Sequence, residues 1–211
     1  MDQQKKEESL AQRCEALFIY KPFKFPGFLG KACSQQTFMK FNLSYDFCID
    51  TDFFHFHFEE GALSTAHVRQ SPGHAVVVLP RGFRFESAVA QEWTNKVLVG
   101  VLREQARALL PKRLKELAQE YGYQYNRCAI KNVYGRWGSC SPLKNINLSL
   151  WLLLAPAELI DYVLKHELAH LREMNHRPRF WQELDRTTDG KGRELSRRMN
   201  QFTCQLITQL A

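Results

Sequence analysis

The feature that most constrains this chain is the pentad His166-Glu167-Leu168-Ala169-His170, an H-E-x-x-H pattern, with a further histidine at His176. An α-helix turns once every 3.6 residues, so His166 and His170 stand one above the other on a single face. Two imidazoles at that spacing can hold one zinc ion, and Glu167 beside the first is placed to work on a water carried by it.

The flanks support a helix. Pro156 suits a first turn, where its missing N–H is not needed. Leu159, Ile160, Val163, Leu164, Leu168 and Leu171 follow at helical spacing and draw an apolar stripe beside the histidines. Met174-Asn175 predicts the helix exit, since Asn tolerates the left-handed conformation. Pro178 then opens a second helix through Phe180, Trp181 and Leu184. The chain thus turns back where a third ligand is wanted. Histidines on an apolar helix face can equally be hydrogen-bonded core residues; the third His after a turn, and a nearby Gly-rich strand segment, favour a metal.

The remaining sequence sets the surroundings. An apolar fraction of 45% across 211 residues is enough for a substantial core. The longest apolar runs, Ala75–Pro80 and Leu148–Ala155, are far too short to span a bilayer, and the charged start lacks a signal-peptide core. A soluble, cytoplasmic protein with no membrane partner is expected. Six scattered cysteines without a C-x-x-C pair read as reduced thiols. Between Arg103 and Arg136 eight Lys/Arg face three Glu, a basic stretch able to attract nucleic acid or to be a solvated helix face.

Three regions are expected: an N-terminal extension over 1–50, a β-rich part over 51–85, and a helical scaffold with the catalytic part over 86–211. Met1–Arg13 reads as a polar start and Phe18–Phe28 as an irregular or edge segment. In Phe53–Phe58, Phe54, Phe56 and Phe58 share one strand face and His55 and His57 the other, an exposed polar face. Leu63–Val68 and Ala75–Leu79 predict further strands. Glu86–Tyr121 reads as helix, broken or kinked at Pro111, with Val89 and Trp93 among its apolar positions. Cys128–Tyr134 predicts a strand, Gly135–Ser141 a bend, and Asn145–Leu150 an edge strand, because Asn147 and Ser149 alternate with Ile146, Leu148 and Leu150. A basic-faced helix closes the chain from Gly190 to Leu210.

Arg136–Ser141 (RWGSCS) followed by Ile146–Trp181 resembles the YgjP-like metallopeptidase family of metal-dependent hydrolases, from about Ala75 to the C-terminus and weakly back to Phe54. The family is zincin-like and similar in ligand spacing to the WLM-type and SprT-like proteases, which cut proteins crosslinked to DNA. The resemblance implies an α+β fold: a zincin-like core with the H-E-x-x-H helix under a small antiparallel or mixed sheet, plus an N-terminal β-rich subdomain. It implies one Zn2+ per chain on His166, His170 and His176, with Glu167 catalytic. Its tryptophan–glycine–serine signature falls on Trp137, Gly138 and Ser139. Ser149, where Leu-Asn is common, and Arg177, where Ser is usual, depart from the family pattern without removing a ligand.

The chemistry expected is peptide hydrolysis with Glu167 as general base. A peptide substrate would pair beside Asn145–Leu150, with Asn147 and the Trp137–Ser139 bend shaping the cleft, although Trp137 reads equally well as core packing. Tyr134, Arg136, Tyr162 and Asn175 are candidate oxyanion donors; Asp161 and Glu173 are candidate supports for the imidazoles, or surface residues. Two other functions stay open: a DNA-associated protease using the basic surface, and a catalytically silent zinc scaffold.

Overall fold

The computed structural model describes residues 40–210, so the expectations for Met1–Arg13 and Phe18–Phe28 lie outside the described residues. Within them the chain is α+β, as expected. A four-stranded mixed sheet has the order β1-β2-β4-β3, formed by β1 (Cys48–Asp50), β2 (His55–Gly61), β3 (His67–Ser71) and β4 (His74–Pro80). The pair β2–β4 is parallel, while β1–β2 and β3–β4 are antiparallel. Phe54, Phe56 and Phe58 are buried while His55 and His57 are exposed, the alternation read from the sequence.

Leu63–Ala66 is not strand, and β3 begins only at His67. Because β4 lies between β2 and β3, the chain leaving β2 must cross the end of β4, and residues 62–66 are used in the crossing. Pro72-Gly73 closes the β3–β4 hairpin, with Gly73 at φ +86° as a Pro-Gly turn requires.

The helix α1 (Ala88–Tyr121) runs without interruption through Pro111. Proline removes the bond to the carbonyl of Arg107, but Arg107 lies on the exposed face, so the loss falls on the solvent side of the helix. Leu110 and Leu114, both fully buried, hold the helix to the core on either side of the proline. Val89, by contrast, is 78% exposed and outside the apolar stripe. Ser87 caps the start by accepting from the Ala90 N–H at 3.1 Å, and Gly122 at φ +71° ends the helix. Buried Gln105 ties α1 to the hairpin, accepting from the Gly73 N–H (2.9 Å) and donating to the Ser71 carbonyl (3.1 Å).

A second, three-stranded sheet comprises β5 (Arg127–Lys131), β6 (Gly138–Cys140) and β7 (Asn145–Ser149), in the order β5-β7-β6. The sequence reading of Asn145–Leu150 as an edge strand is therefore corrected: β7 is central, parallel to β5 and antiparallel to β6. The Asn147/Ser149 alternation reports one polar face of the sheet, and a central strand of a sheet covered on one side shows the same pattern. A 3-10 turn (Leu150–Leu154) leads to α2 (Ala157–Ala169), α3 (Pro178–Thr187) and α4 (Gly192–Leu210). Residues from both sheets, α1, α2, α3 and α4 belong to one hydrophobic core.

Candidate metal centre

The apolar stripe of α2 buries Leu159, Ile160, Val163, Leu164 and Leu168, which fixes the rotation of the helix and sets Glu167 against β6 of the small sheet. The helix ends at Ala169, with His170 as its cap, five residues before the exit expected at Met174. Leu171 and Arg172 continue in a tight turn bonded to the carbonyls of Leu168 and Ala169 (3.0 Å each). Arg172 then pairs with Glu183 of α3 at 3.0 Å and lies over the Tyr123 ring, tying down the segment that leads to His176.

The three histidines converge. The Nε2 atoms of His170 and His176 lie 3.2 Å and 3.0 Å from Nε2 of His166. Nitrogens about 2.0–2.1 Å from a tetrahedral ion would stand roughly 3.3 Å apart, so the spacing is close to that of a shared ligand set. Among the described residues this is the one group of three or more His, Cys, Asp or Glu able to hold a metal. His170 Nδ1–H donates to the Glu173 backbone carbonyl at 3.1 Å, leaving Nε2 for an ion. His166 Nδ1 meets the Tyr162 hydroxyl at 3.4 Å. Glu173 thus supports an imidazole through its backbone.

Burial, and then the neighbouring imidazoles, push His166 down to about 3; burial likewise lowers His170. Both are neutral at pH 7, the form that binds a metal. Phe180 underlies the triad, its ring centroid 4.8, 4.6 and 4.6 Å from those of His166, His170 and His176. Sequence reasoning saw Phe180 only as an apolar helix position.

Glu167 is 5% exposed, and its Oε2 has no hydrogen-bond partner. Burial pushes its carboxyl up to about 8, against the opposing pull of Arg136. A buried carboxylate oxygen without a partner, next to three converged imidazoles, fits a site built for a cation and its water. Imidazole ligands suit several divalent transition metals.

The Trp-Gly-Ser residues divide. Gly138 abuts Glu167 directly: a β-carbon there would stand 2.6 Å from Oε1. Cys140 shares that face, and burial together with Glu167 pushes its thiol up to about 11. Ser139 and Asn147 are directly opposed in the register and, by strand alternation, project from the other face, where Asn147 Nδ2 donates to Ser139 Oγ at 3.3 Å. Trp137 donates from Nε1 to Thr203 Oγ1 at 3.0 Å and packs on Phe202, both in α4. Asp161 makes a bidentate pair with Arg113 (2.8 and 2.6 Å) that joins α1 to α2 away from the triad.

Among the described residues β6 pairs only with β7, so its other edge is open. Trp137 and Ser141 bond to β7 (Ser149 N–H to the Trp137 carbonyl, 2.8 Å; Ser141 N–H to the Asn145 carbonyl, 2.9 Å). By the antiparallel alternation, Gly138 and Cys140 then turn their backbone groups to the open edge. Of the basic residues between Arg103 and Arg136, Arg107 pairs with Glu104, and Arg113 with Glu116 and Asp161. No helix among the described residues is long and apolar enough to cross a membrane.

The converged histidines could hold a metal ion, and the family match assigns the chain to the metallopeptidases. The profile of the YgjP-like, metallopeptidase domain family matches residues 61–202, and the chain belongs to that family. Two solved structures overlap part of it. The metallopeptidase zymogen abylysin of Pyrococcus abyssi is 26% identical, with a TM-score of 0.39 over 43% of this chain and 91% of its own. The zymogen jannalysin of Methanocaldococcus jannaschii is 22% identical, with a TM-score of 0.36 over 44% and 94%. No curated protein sequence matches.

Proposed function

We propose that this chain is a zinc peptidase in which His166, His170 and His176 hold one Zn2+ and Glu167 is the general base. The observation that carries this reading is the convergence of three Nε2 atoms beside a buried, partnerless Glu167 oxygen. Zinc supplies a water pKa lowered from ~15.7 towards ~7 and a Lewis acid for the peptide carbonyl. Glu167 takes the proton released as the nucleophile attacks and passes it to the leaving amine. Phe180 and the bonds at His166 Nδ1 and His170 Nδ1 hold the imidazoles in orientation.

The substrate runs as an added strand along the open edge of β6, not beside β7. Gly138 and Cys140 offer the backbone groups it needs, and Gly138 itself abuts Glu167. A silent zinc scaffold would have no use for the buried Glu167. The test is metal analysis of the purified protein coupled to cleavage of an unbiased peptide mixture, with and without chelator. Stoichiometric zinc and chelator-sensitive cleavage are expected; zinc with no cleavage of any peptide would leave the scaffold standing instead.

A further inference from the structure

On the face of the small sheet away from Glu167 lies a cavity of about 200 Å³, lined by Lys131, Arg136, Gly138, Ser139 and Asn147 among others. Its size is below the roughly 300–1,000 Å³ of small-molecule pockets, so it suits one side chain rather than a separate ligand. Its polar lining is donor-rich. Lys131 ends β5 and Arg136 stands on the crossover to β6; neither makes a salt bridge among the described residues, and Arg136 pulls on the Glu167 carboxyl from a distance. Ser139 and Asn147 add a hydroxyl and an amide from β6 and β7. No carboxylate lines it. Two cations over a hydroxyl and an amide, with Glu167 the one carboxyl on which Arg136 pulls, make a complementary surface for an anion.

The cavity adjoins the edge on which the substrate is placed. A strand added to β6 has alternate side chains on opposite faces, and the residue facing Ser139 projects on the side of Ser139 and Asn147. Its neighbours, facing Gly138 and Cys140, project towards Glu167. Gly138 therefore borders both the catalytic carboxylate and the cavity. We propose that this cavity is a specificity subsite for a carboxylate of the protein substrate, held by Lys131 and Arg136 with Ser139 and Asn147. The proposal rests on the peptidase reading and on a substrate strand along β6.

The test uses the zinc-loaded full chain and matched peptides, each differing by one Glu or Gln stepped through the residues flanking the cleaved bond. A second set differs only in a free or amidated carboxyl terminus. The parent should prefer the Glu peptide at one position, or the free terminus, by about tenfold to a hundredfold in kcat/KM, the range of a charge-assisted hydrogen bond. The first outcome identifies a side chain as the source of the carboxylate and the second a chain end. Lys131→Glu should abolish or invert the preference, and Lys131→Gln should reduce it. Binding of the same pairs to Glu167→Gln protein should show the same ratio without turnover. Chelator-sensitive cleavage with every ratio near one, or a preference unchanged by both Lys131 variants, overturns the subsite alone. A chain that neither holds zinc nor cleaves any peptide overturns the subsite and the peptidase reading together.

Discussion

Gly138 and Glu167 approach so closely that a side chain at Gly138 would meet the Glu167 carboxylate oxygen at 2.6 Å and its Cγ at 2.7 Å. The contact is between the edge strand and the one charged side chain buried on α2, and it fixes where that carboxylate can point. Gly138→Ala should therefore push the carboxylate out of place with little change to the rest of the fold. A displacement of about 1 Å in a reacting group costs on the order of 10²-fold in rate. We expect kcat to fall by about that factor while zinc content and thermal midpoint stay near the parent values. Unchanged kcat would mean that the carboxylate is not held by this contact.

Glu167→Gln keeps the shape of the side chain and removes its capacity to take a proton. Zinc should be retained and turnover reduced by about 10²–10⁴-fold, the usual range for a general base. His166→Ala and His170→Ala should instead abolish zinc retention. Metal content by elemental analysis and kcat on one peptide separate the two classes, and a Glu167→Gln enzyme as active as the parent would remove the general-base role.

What was legible in the sequence, and what was not, follows the range of the interactions. His166, Glu167 and His170 are related by one helical turn, and His176 by one short connection, so local geometry sufficed. The centrality of β7 was not legible, because alternation reports the polarity of a face and is silent about which strands lie on either side. Pro111 does not break α1, because the burial of Leu110 and Leu114 carries the helix across it, a tertiary contact that the local sequence does not report. The exit of α2 came early because Arg172 engages Glu183, eleven residues on and in another helix. Phe180 is an ordinary apolar residue in its own helix, and its role appears only when α3 is laid under the triad.

Phe180 yields the third prediction. It is fully buried and touches all three imidazoles, so its removal should cost stability and also loosen the ligand set. Phe180→Ala should destabilise by about 3–5 kcal/mol in chemical unfolding. Phe180→Leu, a smaller loss, keeps the protein folded and should still weaken zinc affinity measured by chelator competition. If Phe180→Leu binds zinc as tightly as the parent, the ring is core filling and does not position the histidines.

Glu183 provides a test by pH. Its carboxylate accepts from Arg186 (2.8 Å), Arg172 (3.0 Å) and the Tyr123 hydroxyl (2.5 Å), joining the end of α1, the turn after His170 and α3. Burial alone would raise its pKa, but the bonds from Arg186 and Tyr123 outweigh that and hold it below the usual carboxylate value. A carboxylate depressed in the folded state stabilises above its unfolded pKa of about 4.3, and the contribution is lost as pH falls through the lower folded value. Glu183→Gln should therefore cost about 1–3 kcal/mol at pH 7, as expected for bonds to a charged group. The difference from the parent should shrink steadily in urea unfolding below about pH 4, where the parent carboxylate also becomes neutral. A gap that stays constant from pH 7 to about pH 3 would mean that Glu183 acts through shape rather than charge. A gap that closes places the electrostatic clamp on the turn carrying His176, so acid should loosen the third ligand's segment along with the α1–α3 contact.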